Sequence, residues 1–141
     1  DLEEDLIICG APEDFEEFDL IPKKLICRIH YVTNVSDQSL QDLIVQASSI
    51  MLLSKYEGFG LPVAEAWENG KKIIVSDGGA LKEIAPEGSL VLSLAEHESV
   101  WAPLVNTYLR SKQFPDKDKV HVAFNWNGLA KFIQHLGNKD L

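Results

Sequence analysis

Short apolar runs recur along the chain, and most are continuous rather than alternating. Leu6-Ile7-Ile8-Cys9, closed by Gly10, reads as a buried strand, as do residues 25–32, 49–54 and 72–76 and the brief Leu90-Val91-Leu92. Between these runs the apolar positions take a helical period. Leu40, Leu43, Ile44 and Ala47 fall at i, i+3, i+4 and i+7 over residues 37–48, with Asn34 or Ser36 placed to cap the helix. A second helix is predicted over 61–68, stopped by Asn69-Gly70, and a short one over 80–84 ends before Pro86. Two longer helices follow, over about 96–111 and 126–136. In the first, Trp101, Leu104, Val105, Tyr108 and Leu109 share one face and read as core. Trp126, Leu129, Phe132, Ile133 and Leu136 make a similar stripe in the last, part of it a candidate interface. Residues 12–24 are acidic, with Phe15 and Phe18 at helical spacing, and form a short helix or an ordered loop.

Strands alternating with helices imply right-handed crossovers and a Rossmann-like α/β class: an open parallel sheet with helices on both faces. Continuous apolar strands fit that class, because such a sheet is covered on both sides. Ligands of open parallel sheets sit outside the carboxyl ends of the strands. Three loops are expected to converge there: Gly58-Phe59-Gly60, Asp77-Gly78-Gly79, and the turn at Thr33-Asn34.

A chain of 141 residues suits one domain, and 45% apolar residues suit a globular core. With 22 acids against 13 bases the formal charge is −9, which argues against nucleic acid as a partner. It leaves room for one nucleotide, since helix N-termini and backbone N–H groups hold phosphate without lysines. No apolar run reaches the ~18 residues of a membrane span, and the acidic start lacks the basic segment of a signal peptide, so a soluble, cytoplasmic protein is the expectation. Cys9 and Cys27 read as buried strand cysteines. His30, His97, His121 and His135 are scattered without metal spacing, so no metal site and no cofactor is expected.

The candidate chemistry gathers at residues 56–65. A strand, a Gly-rich turn and a helix N-terminus follow one another there, with Glu57 and Glu65 flanking the turn. Glycine at 58 and 60 lets the backbone approach a ligand closely. The N–H groups of Phe59, Gly60 and Leu61 are free to point at an anion, in a helix-end field worth roughly 0.3–1 kcal/mol. Pro62 near the first helical turn loses no bond. A carboxylate at Glu65 accepts two bonds side by side, which matches the vicinal hydroxyls of a ribose. Glu57 is placed to accept a sugar hydroxyl, or to lie beneath an anomeric carbon and steady developing positive charge. An anion cradle beside two acids suits a nucleotide sugar. A glycoside hydrolase also uses two carboxylates, but needs them across a bond with no phosphate cradle between. The plain alternative is a tight connection with a dipole-favoured acid. Asp77 and Glu83 read as a turn residue and a helix-end acid.

Several motifs carry a family resemblance. Glu57 to Ala66, E-G-F-G-L-P-V-A-E-A, holds two glutamates with seven residues between them. Upstream stand Val35-Ser36-Asp37 and Leu40; downstream come Gly70, Ile73-Ile74-Val75-Ser76-Asp77, Gly79 and Glu83, and Phe124-Asn125-Trp126 lies near the end. In order and spacing the chain resembles the C-terminal, nucleotide-sugar-binding domain of GT-B fold glycosyltransferases, specifically family 4. It departs from the family pattern at Thr33, often Gly there, at Leu53, usually Pro, at Trp67, usually Met, and at Lys72, usually Pro.

The resemblance implies transfer of a hexose, with retention, from a nucleotide-diphosphate sugar to a glycan or lipid acceptor. It assigns the ribose hydroxyls to Glu65 and the donor sugar to Glu57, the catalytic candidate. It assigns the sugar and diphosphate to the backbone of Gly58, Phe59, Gly60 and Leu61. It implies no reliance on a metal. The family's donor domain normally opens with a further βα unit carrying an Arg and a Lys for the diphosphate. That unit and the acceptor-binding N-terminal domain do not precede Leu6, so the resemblance implies a lobe inactive alone, completed by a missing domain or a partner chain. Nothing in the sequence bears on proximity to a membrane. The alternative is a non-catalytic, donor-like lobe that docks on a partner glycosyltransferase and regulates it.

Overall fold

The computed structural model describes residues 4–10 and 28–116, which form two compact units, Asp1–Gln46 and Ala47–Leu141. The expected features at Phe15, Phe18, Cys27, residues 25–27, Phe124-Asn125-Trp126 and the 126–136 helix lie outside the described residues.

In the first unit, β1 (Leu6–Cys9) and β2 (Ile29–Val32) pair in parallel, in a register running from Leu6↔Ile29 to Cys9↔Val32. Helix α1 (Asp37–Gln46) follows. Of the two candidate caps, Ser36 is the one used: its Oγ accepts the Ser39 N–H at 3.2 Å. Asn34 instead takes a left-handed turn, φ 54°, a conformation asparagine tolerates and β-branched Thr33 does not need to adopt. On α1, Ile44 is buried, Leu40 and Leu43 are half-buried, and Ala47 just beyond it is half-buried too. Asp5 accepts from Arg28 Nε at 3.2 Å and pairs with His30 Nε2 at 3.3 Å. Strand β1 is not the buried strand that its sequence led one to expect. Leu6 and Ile7 are 46% and 47% exposed, and Cys9 is exposed rather than a buried hydrophobe. Among the described residues β1 has a single neighbour strand, so its apolar run is only partly shielded from water.

The second unit shows what burial on both faces does to a similar run. Strands β3 (Ser49–Leu52), β4 (Lys72–Ser76) and β5 (Leu90–Leu92) form a parallel sheet in the order β3-β4-β5. Every residue of the central strand β4 is buried. Alternation then splits its side chains between two cores. Ile73 and Val75 pack with Val63, Ala66, Leu81, Ile84 and Ala85, from α2 (Leu61–Glu68), α3 (Leu81–Ile84) and the residue after it. Ile74 packs on the other face with Leu92 and with Tyr108 of α4 (Glu98–Arg110). This unit is therefore an α/β layer with helices on both faces of a parallel sheet.

Local sequence explains the helix limits. Helix α2 ends in a Schellman turn: Gly70, at φ 65°, donates its N–H to the Trp67 carbonyl, and Lys71 N–H reaches the Ala66 carbonyl. Helix α4 starts two residues later than expected because His97 caps it, Nδ1 accepting the Ser99 N–H at 3.2 Å. Trp101, Val105, Tyr108 and Leu109 face the sheet as expected, but Leu104 is 45% exposed and does not belong to the core.

The departures at Trp67 and Lys72 each have a structural use. Trp67 packs on the first core and donates Nε1–H to the Asp116 carbonyl at 3.1 Å. Lys72 opens β4 and is buried, its ammonium donating to the carbonyls of Tyr108, Leu109 and Ser111 at 2.6–2.8 Å. It also lies over the rings of Tyr108 and Phe114. A cation thus closes the C-terminal end of α4, where carbonyls lack helical partners and the dipole is negative.

Candidate functional site

The Gly-rich loop leaves β3 earlier than the apolar run suggests, at Leu52 rather than Ser54. The backbone of Ser54 is taken over by the side chain of Ser76 at the end of β4: Ser76 Oγ accepts the Ser54 N–H at 2.9 Å and donates to the Ser54 carbonyl at 2.7 Å. Ser76 stands in the run that carries the family resemblance, but its bonds to Ser54 were not foreseen, because they depend on the register of two strands. Ser54 Oγ then folds back to the Tyr56 carbonyl at 3.0 Å, and Tyr56 itself stands almost fully in water.

The loop after β4 lies directly against this segment, so two of the three expected loops meet at the carboxyl ends of neighbouring strands. Ala80 N–H donates to the Glu57 carbonyl at 3.1 Å. A Cβ on Gly79, which is at φ 54°, would lie 2.6 Å from Glu57 N and 2.7 Å from its carbonyl oxygen. Only glycine lets these two backbones touch. The third loop, at Thr33-Asn34, follows β2 in the other unit.

Helix α2 begins at the far side of the loop. Gly60 is its N-cap, with φ 71° and ψ 50°, and Pro62 sits in the first turn. Gly60 is buried beneath α3: a Cβ there would come 2.6 Å from Ile84 Cδ1 and 2.9 Å from Leu81 Cδ2. Gly58 is its opposite, exposed and with nothing among the described residues within 4 Å of where a Cβ would stand. The two glycines of the motif therefore serve different ends. Gly60 is required by the protein's own packing. Gly58 leaves a space that no described residue fills.

Glu57 turns back on the loop. Its Oε1 accepts the Gly60 N–H at 3.2 Å and, more weakly, the Phe59 N–H at 3.5 Å. Two of the three amides expected to face a ligand thus face an internal carboxylate, a negative group held at the positive end of α2. The Leu61 N–H has no partner among the described residues, and Leu61 is about half exposed. Glu65 lies one turn further along α2, half-buried, and its carboxylate has no hydrogen-bond partner among the described residues. It shares a helix face with Leu61, four residues before it. The side chains of Phe59 and Leu61 stay partly in water.

Asp77 is the turn residue it was expected to be. Its Oδ1 accepts the Leu94 N–H at 2.8 Å, and this bond, together with one from Ser93, holds its carboxyl below the usual carboxylate range. Glu83 is exposed on α3. No helix among the described residues is long and apolar enough to cross a membrane.

The glycine turn with Glu57, and Glu65 one helical turn beyond it, thus stand at the carboxyl edge of a parallel α/β layer, the edge at which open parallel sheets take their ligands. Comparison with known proteins identifies the family. The profile of the glycosyl transferases group 1 matches residues 3–116, and the chain belongs to that family. A serotype-specific mannosyltransferase, WbdA, of Escherichia coli is 35% identical over 109 residues, covering 75% of this chain and 13% of the relative. The MMP alpha-(1->4)-mannosyltransferase of Mycolicibacterium hassiacum is 39% identical over 61 residues, 43% of this chain and 15% of the relative. O-antigen chain mannosyltransferase B of Escherichia coli is 30% identical over 79 residues, 56% of this chain and 21% of the relative. The chain thus spans about a fifth or less of the length of these relatives.

Proposed function

We propose that the chain is the nucleotide-sugar-binding lobe of a retaining glycosyltransferase of family 4 type. The reaction is transfer of a hexose from a nucleoside-diphosphate sugar to a glycan or lipid acceptor, bound mainly by another domain or chain. The lobe is inactive alone and works in the cytoplasm. Mannose is the hexose we assign, since the relatives described above are named as mannosyltransferases.

The observation that carries the reading is the Glu57 turn. A half-buried carboxylate, two loop amides and the start of α2 sit together at a strand's carboxyl end, beside an open space at Gly58. In this reading Glu57 contacts the donor sugar, and Glu65 accepts the ribose hydroxyls. The amides of Gly58, Phe59, Gly60 and Leu61 receive the sugar and diphosphate. Binding then requires the donor to replace the Glu57 carboxylate at the Gly60 amide, an exchange of one charge-assisted bond for another.

That internal bond also favours a second reading, a donor-like lobe that docks on a partner enzyme and regulates it, because a loop satisfied by its own side chain needs no ligand. The two are separated by assaying the full-length polypeptide with nucleoside-diphosphate mannose and mannan-type acceptors, following the anomeric configuration of the product by NMR. The transferase reading predicts retention, and a loss of turnover of 100-fold or so for Glu57→Gln, about 3 kcal/mol of transition-state stabilisation. Inversion, or full activity in Glu57→Gln, refutes it.

A further inference from the structure

We propose that Ser76 is a positioning residue for the loop that carries Glu57, acting on the donor through that loop and not by contact. What the loop binds rests on the function proposed above; the ordering of the loop by Ser76 does not.

The β3–β4 register runs from Ser49↔Lys72 to Leu52↔Val75 and then stops. Beyond it the chain must leave the sheet without stranding buried backbone groups. Ser76 solves this with one hydroxyl. It is fully buried at the last position of β4, and it serves both the N–H and the carbonyl of Ser54. A hydroxyl is both donor and acceptor, so no apolar residue of that size replaces it. Ser54 is thereby fixed as the departure point, and its carbonyl passes so close to Gly78 that a Cβ there has no room.

Three residues on, the backbone of Glu57 rests on Gly79 and is tied to the Ala80 N–H at 3.1 Å. Held at Ser54 and at its own backbone, Glu57 keeps only side-chain freedom to reach the Gly60 amide or a ligand. The two anchors come from consecutive parts of one segment, residues 76–80, which joins β4 to α3. Without the Ser76 hydroxyl the first anchor is lost and the loop pivots on the second alone.

The test compares the full chain with Ser76→Ala, Ser76→Thr and Lys72→Met, by hydrogen exchange and by titration with nucleoside-diphosphate mannose. Lys72 lies at the opposite end of β4, so its variant lowers stability without touching the loop. Ser76→Ala is expected to raise exchange at the Phe59 and Gly60 amides, relative to the amides of Ile74 and Val75, by about tenfold. Donor affinity is expected to fall about tenfold as well. Ser76→Thr, which keeps the hydroxyl, restores both, and Lys72→Met leaves the loop-to-strand ratio at the wild-type value. If Ser76→Ala leaves that ratio unchanged, or Lys72→Met shifts it equally, the positioning role is wrong. If the wild-type chain binds no nucleoside-diphosphate mannose, the donor reading fails, and the exchange ratio alone still decides for or against Ser76.

Discussion

The two glycines of the loop make opposite predictions on substitution by alanine. Gly60 holds a left-handed backbone, φ 71°, which costs an L-residue about 1–2 kcal/mol. Its new methyl would also meet Ile84 Cδ1 at 2.6 Å and Leu81 Cδ2 at 2.9 Å. Both atoms end side chains of the fully packed first core, so relief comes by shifting them, at about 1–3 kcal/mol for an overfilled site. Gly60→Ala should therefore destabilise by about 2–5 kcal/mol. Gly58 has open space and no left-handed backbone, so alanine there should be neutral or stabilise by up to about 1 kcal/mol through the unfolded chain. Urea denaturation of both variants measures this directly. Donor titration adds the functional half: Gly58→Ala should weaken nucleoside-diphosphate mannose binding tenfold or more, because its methyl fills the space the ligand's approach requires. Equal destabilisation by the two variants would refute the packing argument. A Gly58→Ala chain that is stable and binds like the wild type would refute the assignment of that space to a ligand.

Other outcomes follow from the same geometry. Lys72→Met should lower stability by about 2–4 kcal/mol in urea titration, since three carbonyls at the end of α4 lose a buried cation. A Lys72→Met chain as stable as the wild type would show that water replaces those bonds at no cost. Asp77 has its carboxyl held low by the Leu94 N–H and Ser93, so it favours the folded state above its unfolded value of 3.8, and that contribution disappears as pH falls through the lower folded value. Unfolding curves between pH 5 and about pH 2 should accordingly be flatter for Asp77→Asn than for the wild type; parallel curves would contradict the assignment. Glu65→Ala should leave stability within about 0.5 kcal/mol, since its carboxylate holds nothing among the described residues, while reducing affinity for nucleoside diphosphates.

Strands and helices of the second unit were legible because their signals are local. Helix α2 and strands β4 and β5 stand at their expected residues, set by Asn69-Gly70, by the β-branched run Ile73-Ile74-Val75, and by a change of period at each turn. What was not legible depends on neighbours. An apolar run cannot announce whether a second layer covers it, so Cys9 and Leu6 read as buried and are exposed. The same limit hid the outward face of Leu104. At the site, the motif identified the loop but not its internal bonds. That Glu57 would occupy the Gly60 amide depends on a left-handed turn at Gly60, and that Ser76 would anchor Ser54 depends on register across two strands. Lys72 looked like a departure from a family pattern; its partners lie 36 or more residues away on α4 and beyond.

In the proposed function the turn from Glu57 to Leu61, together with Glu65, receives a nucleotide sugar. Amide chemical-shift mapping during titration with nucleoside-diphosphate mannose tests it residue by residue. The largest shifts are expected at Gly58, Phe59, Gly60 and Leu61 and near Glu65, with the Gly60 amide moving as the Glu57 carboxylate gives way to the ligand. Saturable binding that leaves residues 57–65 unperturbed and shifts amides elsewhere would contradict it.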